Sequence, residues 1–174
     1  MQHYGYSYYH MPGVRDVCHK VKQSDDLRAR KEAILVIARE LVLRNIVREN
    51  DILIPAPQHT GSAEYTKKIA KIIASYTHAY VADVLKCLPH VPIYNAKQNG
   101  TITAIKIYLD GNLPAAKNYY FVDNVISTGL TFRLSNEVCD YKLKPLVYAV
   151  DETKSPDIGK DSILVYKQEE IVNH

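Results

Sequence analysis

Two segments of this chain place acids, hydroxyls and a glycine where phosphate chemistry needs them. Residues 119–131 read Tyr-Tyr-Phe-Val-Asp-Asn-Val-Ile-Ser-Thr-Gly-Leu-Thr. An apolar and aromatic run ends in Asp123 and Asn124. After Val125 and Ile126 comes a hydroxyl-rich turn of Ser127, Thr128, Gly129, Leu130 and Thr131. The run reads as a buried strand that delivers a carboxylate at its C-terminal edge, and 131–141 is helix-compatible. Helix N-termini carry unpaired N–H groups and partial positive charge, so the turn suits a phosphate. A carboxylate beside a phosphate cradle fits a sugar phosphate, because the acid binds hydroxyls while the turn binds the phosphate. Taken alone, the segment also fits an ordinary core strand followed by a tight turn.

Residues 51–61, Asp-Ile-Leu-Ile-Pro-Ala-Pro-Gln-His-Thr-Gly, repeat the pattern. Ile52, Leu53 and Ile54 form a short apolar run of the kind buried on both sheet faces. A polar loop follows, and then a predicted helix over 62–76 with Ile69, Ile72, Ile73 and Tyr76 on one face. Thr60 or Ser62 would cap it, and Glu64 suits its first turn. Two prolines also suit a rigid surface turn, and His59 alone also fits a solvated loop histidine.

The 119–131 run resembles the 5-phosphoribosyl 1-pyrophosphate (PRPP) motif of type I phosphoribosyltransferases. That motif has a hydrophobic run, two acids, two hydrophobic or variable residues, and a Thr/Ser-Thr-Gly-x-Thr loop. Asn124 stands where the family has its second acid. The resemblance implies transfer of the 5-phosphoribosyl group of PRPP to a nitrogen nucleophile of the nucleobase kind, with release of pyrophosphate. It implies that Asp123 and Asn124 meet the ribose hydroxyls and that Ser127, Thr128, Gly129, Leu130 and Thr131 cradle the 5′-phosphate. Pro57, Gln58, His59, Thr60 and Gly61 would meet the pyrophosphate. The cofactor implied is Mg2+, held by Asp123 through water. A lid over about 88–118, closing through 95–103, would bring Lys97 to the pyrophosphate, although Lys97 equally fits a solvated surface lysine. A variable hood from about 1–25 and 151–174 would select the small-molecule acceptor. On this view Asn124→Asp keeps or raises activity. The alternative is a non-catalytic PRPP- or nucleotide-sensing protein on the same fold. Asn124 favours it, since an amide can bond a hydroxyl but carries no charge.

The elements that must position these residues alternate between strand and helix. A long helix is predicted over 27–48, capped by Ser24 or Asp25. Strands are predicted over 79–85, 146–150 and 163–166, while 1–13 reads as irregular with Tyr4, Tyr6, Tyr8 and Tyr9 clustered. The expected fold is α/β, a single domain over 1–174: a mainly parallel twisted sheet flanked by helices, type I phosphoribosyltransferase-like, with a small hood.

Composition narrows the classes. The chain has 174 residues, 47% hydrophobic and 24% charged, which is ordinary globular usage. Its net charge of +3, from 22 basic and 19 acidic residues, is too mild for a nucleic-acid partner. No apolar run is long enough to span a membrane, so no membrane partner is expected. The polar, tyrosine-rich start is unlike a signal peptide. Cys18, Cys87 and Cys139 are odd in number and far apart, which gives neither a disulfide framework nor metal spacing. Free thiols suit a reducing compartment, so a cytoplasmic protein is expected. A homodimer is compatible with all of this. An unrelated phosphate-binding module lacks support, because the Walker, dinucleotide-binding and Gly-x-Ser-x-Gly patterns are missing from the sequence.

Overall fold

The computed structural model describes residues 3–92, 104–154 and 163–166, with side chains over 5–92 and 104–154. Its strands are β1 (His3–Ser7), β2 (Ile52–Pro55), β3 (Tyr80–Val81), β4 (Leu85–Cys87), β5 (Ile107–Leu109), β6 (Tyr119–Ile126), β7 (Leu143–Val150) and β8 (Ile163–Tyr166). The helices are α1 (Val14–Gln23), α2 (Leu27–Leu43), α3 (Tyr65–Thr77) and α4 (Leu130–Val138). Six strands form one sheet in the order β3-β2-β6-β7-β1-β8. Every pairing along it is parallel. The expected α/β architecture with a parallel sheet is what the chain adopts. Among the described residues, no helix is long and apolar enough to cross a membrane.

Both faces of the sheet are covered, as parallel sheets require. On one face, Val14, Cys18 and Val21 of α1 join Ile34, Ile37 and Leu41 of α2 and Ile69 and Ile73 of α3. All of them pack against Leu53, Tyr120, Val122 and Leu146. On the other face, Phe132, Leu134 and Val138 of α4 and the β4–β5 hairpin pack on Ile52, Ile54 and Phe121. The strands' near-continuous apolar character follows from this double burial.

Several boundaries differ from expectation. Residues 3–7 form β1, held between β7 and β8, so the tyrosine-rich start belongs to the sheet. Tyr4-Gly5-Tyr6 alternates with the strand period, and aromatic residues favour strands. Gly5 is required there, because a Cβ would lie 2.8 Å from Cγ2 of Val150. Residues 14–23, expected as hood, form α1 and bury its apolar positions in the main core. Helix α2 stops at Leu43, before Asn45 with φ 55°, and its cap is Asp26, which accepts from the N–H groups of Arg28 and Ala29. The expected strand over 79–85 divides. Tyr80–Val81 joins the sheet, while Leu85–Cys87 pairs antiparallel with Ile107–Leu109. The region expected as a lid over 88–118 therefore contains a strand. Of its 95–103 closing segment, all lies outside the described residues, and so does Lys97.

Candidate functional site

The strand order dictates where a ligand can sit. From β2 the chain moves outward to β3, whereas from β6 it moves the other way, to β7. The order thus reverses between the adjacent strands β2 and β6, and their C-terminal ends diverge into separate loops. Open parallel sheets form a crevice at such a point. Here a cavity of about 500 Å3 opens, within the range of small-molecule sites.

The β6–α4 loop forms one wall. Ser127, Thr128, Gly129, Leu130 and Thr131 all line the cavity. Gly129 is left-handed at φ 73°, which turns the strand directly into α4. The Thr128 hydroxyl accepts from the N–H of Leu130 at 3.4 Å. Phe121 and Phe132 meet edge to face at 5.4 Å and support the start of the helix.

The β2–α3 loop forms the opposite wall, and only part of it faces inward. Pro57, Gln58 and His59 line the cavity, while Thr60 and Gly61 do not. Gln58 Oε1 accepts at 2.8 Å from the N–H of Glu64, the residue before α3, and among the described residues no side chain caps that helix, a role expected of Thr60 or Ser62. The Thr60 hydroxyl instead donates to Glu64 at 3.3 Å. Gly61 has φ 117° and its would-be Cβ lies 3.3 Å from the Cys87 carbonyl oxygen. Its own carbonyl accepts from the N–H of Cys87 at 2.8 Å, and His59 O accepts from the N–H of His90 at 3.0 Å. The loop is thereby stitched to the strand that leads out of the β4–β5 hairpin. This also brings His90 to the cavity wall, its ring 6.3 Å from that of His59.

Asp123 lies between the two loops and lines the cavity. Burial pushes its carboxyl up to about 6, against the pull of Lys22 and a bond from the Asn124 N–H. Asn124 faces the other way, since successive strand residues point to opposite faces. It is fully buried. Its Oδ1 accepts from the Tyr65 hydroxyl at 3.3 Å, and its Nδ2 donates to the Cys18 carbonyl at 3.4 Å. The expectation that Asn124 meets a ribose hydroxyl is therefore corrected: its amide joins α1 and α3 to β6. An acid there would set an oxygen against the Cys18 carbonyl, so the idea that Asn124→Asp helps activity also loses its basis.

Lys22 and Gln23, at the end of α1, complete the rim. Nothing in the sequence marks Lys22 among 22 basic residues; only the fold brings it here. For a metal, the described residues hold no group of three His, Cys, Asp or Glu side chains suited to an ion. A single carboxylate still fits Mg2+, which is commonly held by one or two carboxylates, waters and substrate phosphates.

A separate cluster lies outside the cavity. Ser7 Oγ donates to Glu152 Oε1 at 2.6 Å, and His10 Nδ1 lies 3.1 Å from both groups. Serine and acid converge on the same ring nitrogen, unlike a nucleophilic triad, in which they meet opposite nitrogens. The cluster ties β1 to the exit of β7.

The chain matches no family model, and no curated protein matches it in sequence.

Proposed function

We propose that this chain is a type I phosphoribosyltransferase-like enzyme that moves the 5-phosphoribosyl group of PRPP to a nitrogen nucleophile and releases pyrophosphate. One observation carries the reading. Two loops far apart in sequence, each marked by its residues as a phosphate site, line one cavity with a carboxylate between them, at the reversal point of the sheet.

In this reading the 127–131 loop holds the 5′-phosphate through backbone N–H and hydroxyl groups at the start of α4. Asp123 accepts from ribose hydroxyls and fixes the ring. Pro57, Gln58 and His59 border the departing pyrophosphate. As the C1–O bond to pyrophosphate breaks, positive charge grows on the ribose and negative charge on the leaving group. Catalysis is then chiefly positioning and electrostatic stabilisation. Bound Mg2+, reached by Asp123 through water, would supply neutralisation of pyrophosphate charge.

A second reading has its own observation. With Asn124 buried in packing, the described residues offer a ribose one carboxylate in the cavity, which favours a PRPP- or nucleotide-sensing protein over a transferase. Calorimetric titration of PRPP with Mg2+, followed by a pyrophosphate-release screen with nucleobases, separates the two. Binding with release supports the transferase. Binding without release across the screen supports the sensor. No binding overturns both.

A further inference from the structure

The cavity wall poses a charge problem for any phosphorylated ligand. Among the described residues that line it, Lys22 is the one lysine or arginine. It sits one helical turn after Cys18, on the same face of α1. The Cys18 thiol is 4.0 Å from the Asn124 carbonyl oxygen, so that face looks toward the end of β6. Val14, Cys18 and Val21 anchor α1 in the core, which makes the backbone beneath Lys22 rigid. Among the described residues the Lys22 ammonium has no hydrogen-bond or ion-pair partner. Lys20, two residues earlier, is paired to Asp16 at 2.7 Å.

We propose that Lys22 is a further ligand-binding residue of this site, a fixed cation that recognises phosphoryl oxygens of the phosphorylated sugar. The inference rests on the phosphoribosyl reading above and adds the N-terminal helix to its binding machinery. A lysine on a packed helix meets the ligand without first ordering a segment of backbone, so its charge is available at the encounter. Its reach toward Asp123 is consistent with this, since its charge already favours the ionised carboxylate. A bound phosphoryl group would give the Lys22 ammonium an anionic partner.

The test is calorimetric titration of the full chain with Mg2+-PRPP, ribose 5-phosphate and pyrophosphate, using wild type, Lys22→Ala, Lys22→Arg and Lys20→Ala. Lys22→Ala should weaken PRPP at least tenfold with the melting temperature unchanged. Lys22→Arg should recover affinity to within about threefold of wild type, and Lys20→Ala should match wild type. Added salt should weaken wild type more than Lys22→Ala, since screening acts on the charge that the variant lacks. Alongside the loss for PRPP, a matching loss for only one of ribose 5-phosphate and pyrophosphate supports the proposal and names the phosphoryl group that is met. If wild type binds PRPP and Lys22→Ala binds it within twofold, the proposal is overturned. It is equally overturned if Lys22→Arg is as weak as Lys22→Ala, because the charge would then be irrelevant. Failure of wild type to bind any of the three probes overturns the underlying reading instead.

Discussion

The two loops at the sheet's reversal point share a plan and differ in what their polar groups do. Each leaves a parallel strand and enters a helix, and each is rich in hydroxyl or amide side chains. The β6–α4 loop keeps all of residues 127–131 on the cavity wall, with Thr128 alone bonded back to the start of its helix. The β2–α3 loop turns inward on itself. Gln58 accepts from the Glu64 N–H, Thr60 meets the Glu64 carboxylate, and Gly61 and His59 bond to residues 87 and 90. A polar loop residue is therefore a ligand candidate only after the loop's own orphan N–H and C=O groups have been satisfied. By that count the first loop is the stronger ligand candidate. The second is tied up in its own fold and offers a ligand little beyond Pro57, Gln58 and His59.

The largest effects should come from the strand between the loops. Asp123→Asn should weaken PRPP by a hundredfold or more while raising stability. The reason is the raised carboxyl, at about 6, which burial sets above the unfolded value near 3.9. The folded state then holds the proton more tightly than the unfolded chain. That contribution is fully present below about pH 4 and lost as pH rises through about 6. At pH 7 the ionised carboxylate costs about 1–3 kcal/mol, which the amide removes. Urea unfolding at pH 5 and pH 7 should show the gain for Asp123→Asn at pH 7 and a smaller one at pH 5. A less stable variant at pH 7 would break the argument. One residue along, the sign reverses: Asn124→Asp should lose about 2–4 kcal/mol at pH 7, because it buries a charge against the Cys18 carbonyl. Adjacent positions on one strand, one open to the cavity and one sealed from it, should thus respond oppositely to exchange of acid and amide.

How much of this was legible can be judged residue by residue. The parallel α/β plan could be read because the apolar runs of β2 and β6 needed cover on both faces. The 127–131 turn could be read as a strand–helix junction because glycine adopts the left-handed backbone such a junction needs. Asn124 was misjudged, although the period-2 alternation of a strand already places neighbours on opposite faces. Strand β1 is hidden in the sequence, because its tyrosine alternation reads equally as a cluster. So is α1, whose Val14, Cys18 and Val21 recur at spacings of four and three. Lys22, His90 and the bond from the Glu64 N–H to Gln58 have no local signal. Each depends on contacts between segments distant in the chain, or on a hydrogen bond that only the folded loop creates.

The contrast between the loops predicts its own smallest effects. Gln58→Ala removes the acceptor for the Glu64 N–H at the start of α3. Loss of such a hydrogen bond costs about 1 kcal/mol. In the open loop, Gly129→Ala forces a side chain onto φ 73°, which costs a similar amount, about 1 kcal/mol. Stability alone would not tell the two apart. Ribose 5-phosphate affinity should, because Gly129 shapes the turn proposed to hold the phosphate, whereas Gln58 lines the opposite wall. Gly129→Ala should weaken ribose 5-phosphate about tenfold, and Gln58→Ala should leave it within twofold of wild type. Equal losses of affinity would mean that the two loops act as one unit and that the division between an open loop and a self-satisfied one is wrong.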